Sequence, residues 1–273
     1  MAALPPPVPP TLPPAQSGPH RFATLRTVLA LILREMSTRY GRTPGGYAWA
    51  ILEPLGAIVV LSLGFSLIIR TPPLGTSFIL FYATGFMPFD LYQSLASTIA
   101  RSIRFSKPLL QYPAVTWLDA VLARFLLNGL TGILITTLLL AGILAVIDSR
   151  TVVDLPSLVE AMALTMLLGL SIGVLNCALM GLYPLWDMVW SIVTKPLFIA
   201  SGVLFLYDDM PPLAREILWY NPLMHIIGLM RAGFYATYKA AYVNHVYVLG
   251  VSLALLAMGL ILMGRYHRDI LNR

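Results

Sequence analysis

Long apolar runs dominate the pattern of this chain. Six stretches approach the roughly 20 apolar residues that a helix needs to cross a hydrocarbon core: 47–69, 76–96, 118–147, 157–183, 186–206 and 246–264. The pattern predicts an all-α, polytopic membrane protein with six transmembrane helices. Residues 70–75, Arg-Thr-Pro-Pro-Leu-Gly, form a Pro/Gly turn that predicts a hairpin of the first two spans. The third and fourth runs are longer than a span requires, which predicts tilt or continuation into water. The fifth is the least regular, because Lys195-Pro196 interrupts it.

The segments between runs have their own patterns. Phe22, Leu25, Leu29, Ile32, Met36 and Tyr40 recur in steps of three and four, predicting an N-terminal amphipathic helix flat on the inner leaflet. That pattern alone is equally compatible with a membrane anchor and with a docking surface. After the second run, residues 100–119 supply Arg101, Arg104 and Lys107 with two helix-stopping prolines, Pro108 and Pro113, which predicts a short basic helix with a proline stop. Taken alone, its basic residues read as charge that fixes topology. Residues 207–245 are too polar to span and too apolar for a free loop. Pro211, Pro212 and Pro222 divide them into two short re-entrant helices that dip into the outer leaflet or cap a cavity. Residues 1–20 form a Pro-rich tail, read as disordered or polyproline-like, without the features of a signal peptide.

Composition agrees with the pattern: 58% of residues are hydrophobic and 11% charged. The formal charge of +6 does not indicate nucleic acid, since the basic residues cluster beside apolar runs and form no stripe with interleaved aromatics. Arg21, Arg26, Arg34, Arg39, Arg42, Arg101, Arg104, Lys107, Arg265, Arg268 and Arg273 fall on one side, which the positive-inside rule makes cytosolic, with both termini. Cys177 is the single cysteine, so there is no disulfide framework. The chain has neither a phosphate-binding glycine loop nor a dinucleotide fingerprint, and it has no zincin or serine-hydrolase motif. His20, His225, His245 and His267 are scattered, and Asp208-Asp209 is an isolated pair. No enzymatic activity, metal or cofactor is expected in this chain, so any ATP and Mg²⁺ would be bound by a partner.

Charges within apolar runs draw attention because each costs about 2.5–3.5 kcal/mol at a helix centre. They are Glu53, Asp90, Asp119, Arg124, Asp187 and Lys195. Glu53 is placed to pair with Arg124 or with a basic residue of the interfacial helix, while Asp119 and Asp187 read as pairs near an interface. Trp49 and the outer aromatics Trp219, Tyr220, Phe234, Tyr235 and Tyr238 suit either an interfacial belt or stacking on sugar rings. Gly169 and Gly173 form a small-residue pair suited to close helix packing.

Residues 33–54, LREMSTRYGRTPGGYAWAILEP, resemble the signature that leads into the first span of type-2 ABC exporter permeases, specifically the capsular polysaccharide exporters of Gram-negative bacteria. Tyr220-Asn221-Pro222-Leu223 followed by Arg231 is similar to a motif of the same permeases before their last span. The likeness covers about residues 22–270. The resemblance implies a type-2 ABC transmembrane domain over 21–273, acting as a homodimer with two ATP-binding subunits, a periplasmic co-polymerase and a glycolipid-terminated acidic polysaccharide as substrate. Helix 22–40 would be the interface helix, with Arg34, Glu35, Arg39, Tyr40, Arg42 and Glu53 at the entrance. Arg101, Arg104, Phe105 and Lys107 would form the coupling helix. An O-antigen, teichoic-acid or small-molecule exporter of the same build is an alternative, and so is a membrane enzyme acting on lipid-linked sugars.

Overall fold

The computed structural model describes residues 23–40, 47–112, 115–147 and 153–272. The Pro-rich stretch 1–20 and Arg42 lie outside the described residues, as do the side chains of Arg39 and Tyr40. Regular structure among the described residues is helical. The chain order is α1 (Ala23–Tyr40), α2 (Tyr47–Ser66), α3 (Phe78–Ala100), α4 (Ser102–Leu110), α5 (Trp117–Val146), α6 (Leu155–Leu182), α7 (Trp186–Ala200), α8 (Pro212–Trp219), α9 (Pro222–Phe234) and α10 (His245–Asn272).

Among the described residues four helices are long and apolar enough to cross a membrane: α2, α5, α6 and α10. At 23 residues, α3 is about 35 Å long and could also cross. Its hydropathy is reduced by Asp90, Gln93, Ser94 and Ser97, and most of its surface is covered by protein. The fifth predicted run departs most from expectation. Its helix, α7, passes through Pro196 but ends at Ala200, and residues 201–206 form an irregular link through Gly202 at φ +84°. With 15 residues α7 is about 22 Å long, and none of its residues is buried.

The core is built on α6, which packs against α3 on one side and α10 on the other. Small residues allow this closeness. A Cβ added at Gly169 would sit 2.9 Å from Leu95 Cβ, and one at Gly173 would sit 2.7 Å from Ile99 Cβ, so the glycine pair seats α3. On α10, a Cβ at Gly259 would meet the backbone nitrogen of Leu175 at 2.8 Å. Thr116 and Asp119 start α5 with a reciprocal capping box, which accounts for the buried Asp119 carboxylate.

Helix α1 packs against α5 through a face that shares only Ile32 of the described members of its predicted apolar stripe. Val28, Leu31 and Glu35 are buried, whereas Leu25, Leu29 and Met36 are exposed. One apolar face therefore meets protein and the other is left for lipid. The two helices of the 207–245 segment also differ. Short α8 exposes Leu213 and Ile217, while α9 is buried against α3, α6 and α10 and belongs to the core.

Candidate functional site

Phe89, Gln93, Ser97 and Arg101 follow one another at four-residue intervals, so α3 presents them as a single stripe. They line a cavity of about 490 Å³ shared with Trp190, Lys195 and Phe198 of α7. Gln93 and Ser97 also line a cavity of about 430 Å³ on the other side of the stripe, where Trp49 and Glu53 of α2 face Asp90 of α3 and Asn128 and Thr136 of α5. The two cavities share these residues and make one polar groove along α3. Aromatics back it, with buried Phe89 and half-buried Phe198 in edge contact at 5.0 Å.

At the α4 end of the groove, Arg124 of α5 joins four helices. Its Nε lies 3.3 Å from Glu35 Oε2 of α1, with both side chains less than a tenth exposed (8% and 7%). Its Nη1 donates to the Thr98 carbonyl of α3 at 2.7 Å. Its guanidinium covers the Phe105 ring of α4 at 4.2 Å, and Arg34 of α1 approaches the same ring at 5.2 Å. A buried arginine can satisfy this set because its planar fork donates in its own plane while its face stacks on a ring. The expected partnership of Glu53 with Arg124 is therefore corrected: Glu35 takes the arginine, and Glu53 turns to the groove. Nearby, Arg101 pairs with Asp187 at the start of α7 at 3.6 Å, a half-exposed contact that links the groove to α4. Arg101 and Arg104 are exposed on α4, Lys107 is partly so, and Ile103 and Ser106 fix its inner face.

At the opposite end, the Tyr220–Leu223 motif is structural. Asn221 Oδ1 accepts from the Leu223 amide at 3.1 Å, capping α9, while its Nδ2 donates to the Ala200 carbonyl at the end of α7. Arg231, 2% exposed, donates to the carbonyls of Phe205 at 2.8 Å and Val203 at 2.9 Å and lies over the Phe81 ring. It thus satisfies the backbone that the broken end of α7 leaves unpaired. At 13 residues, α9 is too short to span. Burial pulls the Arg231 guanidinium down to about 10, so it remains cationic at neutral pH. Burial also lowers His225, which accepts from the Asn244 amide at Nδ1 and so donates from Nε2 to the Trp219 carbonyl as a neutral ring.

The residues expected from sequence divide accordingly. Arg34, Glu35 and Phe105 come together around Arg124, and Arg101, Arg104 and Lys107 lie on or beside α4. Trp49 and Glu53 join the groove. Trp219 and Tyr220 sit in an aromatic cluster with Tyr247 at the far end, whereas Phe234 and Tyr235 are core residues and Tyr238 packs against them. Gln93, Ser97 and Trp190 were not anticipated. The signal for Gln93 and Ser97 was the four-residue recurrence of polar side chains inside an apolar run, and Trp190 had none. The groove holds hydroxyls, amides, carboxylates and aromatic faces, and among the described residues no three His, Cys, Asp or Glu side chains group to hold a metal. Such a lining can bind and guide a polar molecule.

The ABC-2 type transporter family model matches residues 26–235. The chain is 30% identical to the polysialic acid transport protein KpsM of Escherichia coli over 86% of its own length and 92% of that protein's. It is 24% identical to the capsule polysaccharide export inner-membrane protein CtrC of Neisseria meningitidis serogroup B, and 26% identical to BexB of Haemophilus influenzae, a protein of the same description. Both of these matches cover 90% of this chain and 92% of the relative.

Proposed function

Since this chain belongs to the ABC-2 type transporter family, we propose that it is the permease subunit of an ATP-driven exporter carrying capsular polysaccharide across the bacterial inner membrane. The observation that carries this reading is the meeting of a polar groove with a basic helix: Arg101 lines the groove and also opens α4. ATP and Mg²⁺ bind two separate ATP-binding subunits at the α4 end, which is cytosolic together with both termini. Residues 21–273 form the transmembrane domain, and two copies enclose the path along their α2 and α7 helices. A glycolipid-linked polymer enters beside α1, among the membrane lipids, and a periplasmic co-polymerase continues the path outward.

Movement of α4 reaches two places. Through Arg101 and Asp187 it reaches α7, and through Phe105 and Arg124 it reaches α1. The relatives' printed names support the cargo class. Charge reversal of Arg101 and Arg104 together is expected to reduce surface polymer by about tenfold or more, the size of effect seen when interfacial charges are inverted. Membrane insertion should be unchanged. Normal export in that variant removes the coupling role of α4, and purification of the permease without an ATP-binding subunit in equal number removes the exporter reading itself.

A further inference from the structure

The α2 side of the groove is chemically unlike the α7 side. Arg101 and Lys195 line the cavity against α7. The cavity among α2, α3 and α5 is lined by two carboxylates, Glu53 and Asp90, with no lysine or arginine. Its volume of about 430 Å³ lies within the range of roughly 300–1,000 Å³ that small-molecule sites occupy.

A second observation points to a ligand. Threonines buried in dry helices return their hydroxyls to a carbonyl of their own helix. Thr84 and Thr165, both fully buried, do so, bonding to Phe81 and Ala161. Thr136, only 2% exposed, lines the acidic cavity, and its hydroxyl has no hydrogen-bond partner. An orphaned hydroxyl at a polar cavity is a group left for an occupant.

The lining identifies the class of occupant. Among the described residues no three His, Cys, Asp or Glu side chains group here to hold a metal ion. Carboxylates accept from neighbouring hydroxyls, and Trp49 supplies an apolar surface of the kind that packs against a sugar's C–H face, beside Asn128, whose Nδ2 donates to the Arg124 carbonyl. A carboxylated sugar in the same place would bring a third negative charge against Glu53 and Asp90 with no lining cation to offset it. We propose that this cavity is a subsite for an uncharged, hydroxyl-rich sugar segment and that Glu53 and Asp90 exclude carboxylated sugars from it. This rests on the exporter reading and narrows its substrate, since the acidic parts of a polymer are left to the basic cavity beside α7.

The test is titration of the full permease–ATPase complex in nanodiscs at pH 7 with maltohexaose, which is neutral, and hexagalacturonate, which carries a carboxylate on every ring. Maltohexaose is expected to bind at least about tenfold more tightly, the scale of discrimination that like-charge juxtaposition provides. The Glu53→Gln/Asp90→Asn double variant should lose most of that preference. Thr136→Val, which keeps the side chain's shape, should weaken maltohexaose by about threefold to tenfold, the worth of one hydrogen bond. The subsite is overturned if neither probe binds, if hexagalacturonate binds the unaltered complex as tightly as maltohexaose, or if the variants keep both affinity and preference. A complex that exports polymer but shows no neutral preference loses this subsite and keeps the exporter reading. A chain without an ATPase partner loses the exporter reading whatever the titration gives.

Discussion

Arg124 would be an expensive residue to place where it is if it served one contact. It is enclosed by α1, α3 and α4, and its charge is met by Glu35, the Thr98 carbonyl and the Phe105 ring. Removing one partner of a buried ion pair costs about 3–5 kcal/mol, because the other charge stays desolvated. Arg124→Ala is therefore expected to lower the thermal unfolding midpoint clearly, and exchange of the pair as Glu35→Arg/Arg124→Glu should recover part of the loss. Equal destabilisation by the single and exchanged variants would show that the pair itself contributes little. At this scale the sequence was informative about which residues matter and less so about why. Asp119 and Asp187, read as interfacial pairs, are a helix cap and the partner of Arg101. Arg124 is legible as a charge inside an apolar run, but its partner Glu35 is brought in by a helix distant in the chain.

Among elements, α6 shows how much of the fold depends on missing side chains. Its neighbours approach so closely that Gly259 of α10 meets the α6 backbone, whereas a Cβ at Gly250 of the same helix would find nothing within 4 Å. Gly259→Ala is expected to destabilise the protein by about 1–3 kcal/mol, as overpacking of a tight contact does. Gly250→Ala should be neutral or stabilising by up to about 1 kcal/mol through helix propensity. Melting curves of both in the same detergent decide the matter; equal effects would mean that the α6–α10 contact is looser than described. The α6–α3 contact was foreshadowed by the glycine spacing. The early end of α7 was not, because it depends on Arg231 and Asn221 donating to carbonyls of the broken helix end from 26 and 21 residues away along the chain.

For the whole molecule, the uncovered apolar surface carries the next question. Every residue of α7 is at least partly exposed, and Ile192 on it is 61% exposed, as Val60 on α2 is 69%. If two copies enclose the path along these helices, Ile192→Cys or Val60→Cys should cross-link between copies in native membranes. Leu134→Cys, on the equally exposed face of α5, should not. The buried native Cys177 leaves little background. Cross-linking confined to α5 would place the interface elsewhere and leave α7 facing lipid. Burial within one copy accounts for α3, α6 and α9, so these helices do not bear on the choice.

The chain's solvent, its helical class and the long spans were written in the sequence, because a backbone in lipid must satisfy its own hydrogen bonds and an apolar run of sufficient length has few other solutions. The basic helix at Ser102–Leu110 was legible because its charges act locally, although it runs through Pro108 to Leu110 and does not stop at that proline. The groove was decided by the tertiary structure. Glu53, Asp90 and Thr136 belong to three helices, and nothing in their spacing along the chain says that they share a cavity. The same holds for Glu35 and Arg124. Side-chain partnership across helices follows from how the helices are rotated against one another, and that rotation is fixed by small contact residues such as Gly169 and Gly173, which carry no chemistry of their own.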